Sequence, residues 1–150
     1  MRLGSLTRPD LIFPDLPGTD RAQVLRAFAE RIAGQGLVSD PEALFQKLWE
    51  REQLGSTAIG GGIAIPHCKV DRLKSGVVAV GRVEEGVDFG AADGQPVRLF
   101  FLVVSPSHSP AEHLQILAAI SRWIKVGGRI QALLEQPDAA ALFDYLQREG

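Results

Sequence analysis

The run "VRLFFLVVSP", residues 97–106, limits the fold of this chain more than any other stretch. It is apolar without interruption from Leu99 to Val104, with Val97 just before. A half-solvated strand alternates polar and apolar residues, so an unbroken apolar strand has to be covered on both faces. The run is far too short to span a bilayer, which needs roughly 20 residues. The next segment, "SPAEHLQILAAISRWI", has helical spacing. Its opening, Ser109 to Glu112, reads as a capping box with Pro110 at the first helical position. A buried strand that feeds a helix implies layers. The expected fold is α/β: a small mixed β-sheet flanked by helices on both faces, in a single domain over residues 1–150.

The other segments fit this scheme. The chain up to Pro17-Gly18 reads as extended, then turning. Asp20 is placed to cap a helix, with Gln23 completing a box, and Val24, Leu25, Phe28 and Ile32 fall on one face. Gly34 is placed to stop it. "SDPEALFQKLWER" reads as a second helix, capped by Asp40, with Pro41 at its first position and Arg51 at its end, where a cation suits the helix dipole. Leu44, Phe45, Leu48 and Trp49 form its apolar side, serving either a core or an interface between two copies, so a homodimer stays open. "GVVAVGRV" reads as a strand, "GVDFGAADGQPV" as a turn-rich connector, "GGRIQALLEQ" as a short helix or turn, and "PDAAALFDYLQREG" as a closing helix.

Composition narrows the function. A net charge of −2 with mixed signs and no basic stripe argues against nucleic-acid binding. The N-terminus has no apolar leader core, and Cys68, the only cysteine, cannot form an internal disulfide. The reading is a cytoplasmic protein without membrane insertion. No Gly-x-x-x-x-Gly-Lys-Ser/Thr loop and no Gly-x-Ser-x-Gly elbow are present. His67, Cys68, His108 and His113 match no standard zinc spacing, so no cofactor is implied.

The chemistry concentrates in "GGGIAIPHCKV", residues 60–70. Gly60, Gly61 and Gly62 allow close backbone approach, and their N–H groups suit an anion. Pro66 ends the strand and sets the direction of the chain beyond it, so His67 is either an oriented imidazole or a surface histidine beside a glycine hairpin. His113 shares a helix face with Leu117, Ile120 and Ile124 and lies in the first turn. It is either a satisfied core residue or a ligand for phosphate at a helix N-terminus. His108 reads as exposed.

Three blocks then become recognisable. "REQLGSTAIGGGIAIPHCKV" resembles the active-site signature of type-2 enzyme IIA domains, the mannitol/fructose/nitrogen type of the bacterial phosphoenolpyruvate-dependent phosphotransferase system. "VDFGAADGQPVRLFFLVVSP" and "EHLQILAAIS" are similar to the second and third blocks, in family order. The resemblance implies a histidine phosphocarrier that uses no ATP. His67 matches the phosphoryl-accepting histidine, His113 the second histidine, and Arg51 the arginine ahead of the Ser-Thr segment. Ser56 and Thr57, with Gly61 and Gly62, are candidate phosphate-binding groups. The implied donor is HPr or its nitrogen-branch counterpart; the implied acceptor is an enzyme IIB domain or a regulatory target. The N-terminal segment resembles the nitrogen-type regulatory branch, with a sugar-specific IIA as the alternative. A non-catalytic binding module and a small metalloprotein are lesser alternatives. Two departures stand out: Cys68 where Gly is usual, and a glycine in the middle of "GGG" where a polar residue is usual. The second is expected to loosen the loop and bear on donor recognition.

Overall fold

Strand β6 (Val97–Pro106) is the hub of a six-stranded mixed sheet. The computed structural model describes every residue from Met1 to Gly150. On one side β6 pairs antiparallel with β5 (Val77–Val87), which pairs parallel with β1 (Ile12–Phe13) at the far edge. On its other side β6 pairs parallel with β3 (Ile63–Ala64) and, further along, with β4 (His67–Val70). Strand β2 (Ala58–Gly60) runs antiparallel to β3.

Successive β6 side chains point to opposite faces. Phe100, Leu102 and Val104 enter the layer under α1 (Arg21–Gly34) and α2 (Pro41–Gln53). Leu99, Phe101 and Val103 enter the layer under α3 (Pro110–Ile124), α4 (Arg129–Glu135) and α5 (Ala139–Glu149). The expected α/β sandwich is therefore present, with β6 buried on both faces. Gly81 on β5 makes room for α1: a Cβ there would lie 2.4 Å from the Phe28 ring, which meets Phe100 edge to face at 6.1 Å. No helix is long and apolar enough to cross a membrane. Leu44, Phe45 and Leu48 are buried within the monomer, and Trp49 stacks on Phe45 at 6.1 Å.

Several local expectations are corrected. Asp20 accepts from the Gln23 N–H at 2.8 Å, but the Gln23 side chain serves Thr19 rather than closing a box on Asp20. Asp40 caps α2 through the Ala43 N–H. Ser109 makes no side-chain cap; the expected partner, Glu112, reaches across to the Gly76 N–H instead. The opening segment is two short 3-10 turns, Leu3–Ser5 and Pro9–Leu11, followed by β1. Pro66 does not precede a loop. It divides one edge line into β3 and β4, and its carbonyl accepts from the Val103 N–H at 2.9 Å, so His67 opens a strand rather than following one.

Candidate active site

Strand β4 lies at the sheet edge between the end of α2 and the start of α3. Its side chains alternate: Cys68 and Val70 enter the core under α1 and α2, while His67 and Lys69 do not. A shallow hollow of about 330 Å³ opens here, lined by Lys47, Glu50, Arg51, His67, Cys68, Lys69 and His113. Three of these carry positive charge and one carries negative charge.

The His67 ring is held at both nitrogens. Its Nδ1 lies 2.7 Å from the Ile65 carbonyl oxygen, which can only accept, so Nδ1 carries the proton. Nε2 keeps its lone pair and accepts from the Arg51 Nε–H at 3.2 Å. Arg51 is steadied in turn by an NH1 bond to the Gly55 carbonyl at 2.8 Å. The His113 ring lies 5.3 Å from that of His67, tilted by 57°. His113 is buried, and its Nδ1 meets the Ser105 hydroxyl. The structure thus brings His67, His113 and Arg51 into one hollow.

The family described as "Phosphoenolpyruvate-dependent sugar phosphotransferase system, EIIA 2" matches residues 5–149. This chain belongs to that IIA family. A "Nitrogen regulatory protein" of Pseudomonas aeruginosa is 35% identical over 143 residues, covering 95% of this IIA chain and 93% of the relative. A "PTS system fructose-specific EIIA component" of Haloferax volcanii is 33% identical over 144 residues, covering 96% and 94%. The crystal structure of nitrogen regulatory protein IIA-Ntr from Neisseria meningitidis superposes with a TM-score of 0.86 at 26% identity, covering 95% of this chain and 97% of that one.

Both histidines of this IIA chain favour the neutral form. Burial pushes His67 below the ordinary value of 6.5, opposed by the bond to Ile65; the charges of Arg51 and Lys69 push it down further. Burial, then the neighbouring His67 and Lys69, push His113 down to about 4. A neutral imidazole with an unprotonated Nε2 has the chemistry of a nucleophile, and the three cations of the hollow suit an anion. Cys68 differs: burial pushes its thiol up to about 12, which keeps it protonated and inert.

Four candidate phosphate ligands lie outside the hollow. Ser56 donates to the Phe89 carbonyl. Thr57 is buried and gives both its N–H and its hydroxyl to Glu52, at 2.8 and 2.6 Å. Gly60, Gly61 and Gly62 form the β2–β3 hairpin with φ of +90, +67 and +79°. The Gly61 N–H does face an anion, but the anion is the chain's own Asp93 carboxylate at 2.9 Å. That bond links the hairpin to the segment ahead of β6. His108 is exposed as expected.

Lys47, Glu50 and Lys69 escaped the sequence reading. Lys47 precedes Arg51 by one helical turn, and Lys69 lies two residues beyond His67 on a strand, so both spacings put them beside residues already singled out. Ser105 escaped too, although it continues the Leu99, Phe101, Val103 alternation toward α3.

Proposed function

We propose that this chain is a phosphoryl carrier in which His67 Nε2 accepts the group from a phosphohistidine on an HPr-type donor. The observation that carries this reading is the fixed tautomer of His67: Nδ1–H on the Ile65 carbonyl, the lone pair on Nε2, and Arg51 beside it. The Nε2 lone pair forms the new P–N bond as the donor's P–N bond breaks, and the donor imidazole leaves with its electron pair. The proton on Nδ1 keeps its bond to the Ile65 carbonyl throughout. Little driving force is needed, because the bonds made and broken are alike; alignment and charge stabilisation are what remain to be supplied. Arg51 swings from the lone pair to the phosphoryl oxygens, and Lys47 and Lys69 add positive charge at the rim. The group then passes to an enzyme IIB domain or stays as a regulatory mark. This relay would run in the cytoplasm, where such donors act.

Within the family, the nitrogen-type regulatory reading is preferred, supported by the Pseudomonas relative and the Neisseria structure. The fructose-specific relative at 33% identity supports the sugar-uptake alternative. The test is incubation with phosphoenolpyruvate, enzyme I and either sugar-branch HPr or its nitrogen-branch counterpart, read by intact mass. The expected result is one acid-labile phosphoryl group, absent in His67→Ala, acquired faster from the nitrogen-branch donor. Stoichiometric labelling of His67→Ala would refute the assignment; faster labelling from sugar-branch HPr would favour sugar uptake.

A further inference from the structure

The geometry assigns Ser105 as the positioning residue for His113: its hydroxyl donates to Nδ1, which leaves the ring proton on Nε2 as a donor toward the group carried by His67. Only the use of that donor rests on the phosphocarrier reading; the tautomer does not.

Leu99, Phe101, Val103 and Ser105 share the β6 face that meets α3, and Ser105 is the one polar residue among them. It is fully buried, with no exposed surface. A buried hydroxyl without a partner costs about 1–3 kcal/mol. The sole side-chain bond of Ser105 is to His113 Nδ1. Were Nδ1 protonated, it would donate to the serine oxygen and leave the serine proton with no acceptor. With the lone pair on Nδ1, both groups are satisfied. The ring is neutral at cell pH, since burial holds it well below its ordinary value, so it carries a single proton, placed on Nε2.

That nitrogen has no partner in the protein, yet it is not among the fully enclosed unpaired polar atoms. His113 lines the hollow, and Nε2 is its one unpartnered polar side-chain atom. The two histidines are therefore set as opposites. His67 holds its proton on Nδ1 and offers a lone pair from Nε2; His113 accepts at Nδ1 and offers a proton from Nε2. One ring is prepared to attack phosphorus, the other to donate to an equatorial oxygen.

The test uses the full chain with 15N-labelled histidine. Two-bond 1H–15N spectra are expected to report a protonated Nε2 and an unprotonated, hydrogen-bonded Nδ1 for wild-type His113. In Ser105→Ala the Nδ1–H form should become populated, and phosphorylation of His67 should slow about tenfold, the effect of losing one hydrogen bond to the transferred group. Ser105→Thr, which keeps the hydroxyl, should restore both. A wild-type His113 protonated at Nδ1 would overturn the assignment, whether or not the variants fold. So would a Ser105→Ala variant in which tautomer and rate fail to change together. Should no donor label the wild-type protein, the carrier reading fails, and the wild-type spectrum still decides the tautomer.

Discussion

Arg51 makes two bonds that a lysine cannot reproduce: Nε–H to His67 and NH1 to Gly55. Arg51→Lys keeps the charge but loses the fork, and is expected to slow phosphoryl acceptance at least about tenfold while leaving the melting temperature within a few degrees. A rapid-quench time course against wild type checks this. His113 makes stability depend on pH. Its ordinary value in the unfolded chain is 6.5, and burial lowers it to about 4 in the folded chain. Between those values the unfolded chain holds the extra proton, so this contribution is complete above pH 6.5 and is lost as the pH falls toward 4. Urea midpoints of wild type and His113→Gln should converge over that window, by on the order of 1 kcal/mol per pH unit. For His67, whose value is also lowered, an NMR titration should place the midpoint below 6.5.

The turn after α2 is built around Glu52, a carboxylate with only 1% of its surface exposed. Its oxygens accept from the Thr57 N–H and hydroxyl, so the buried carboxyl group is not left without partners. Thr57→Val removes one of them and is expected to cost about 1–3 kcal/mol in denaturant unfolding, while phosphoryl acceptance persists, because that hydroxyl faces Glu52 and not the hollow. Large loss of labelling with intact folding would return Thr57 to the phosphate-binding set. Here the limits of the sequence are visible. The Ser-Thr pair beside glycines advertises hydroxyl donors but not their direction, and what engages them, Glu52 and the Phe89 carbonyl, is set by tertiary packing. Likewise Glu112 matches a local capping pattern yet serves Gly76, a residue 36 positions away. By contrast, the Asp20 and Asp40 caps were legible because their partners lie three residues on.

The layered architecture was legible from β6 because an unbroken apolar strand admits few other surroundings. Strand β1 was not, since two residues carry no periodicity and Ile12 and Phe13 are strand only through pairing with Val80 and Gly81. In the layer under α1 and α2, Phe100 touches Phe28 and Phe89 edge to face, at 6.1 and 5.0 Å. Phe100→Ala should cost about 3–5 kcal/mol in a urea titration, the range for an aromatic truncated in a closed core. The hollow, in turn, lies at a sheet edge with α2 on one side and α3 on the other. On the proposed carrier reading, donor and acceptor would both have to reach His67 through this one hollow, so the first would have to depart before the second docks. Initial-rate plots with donor and acceptor varied together should give the parallel lines of a ping-pong mechanism.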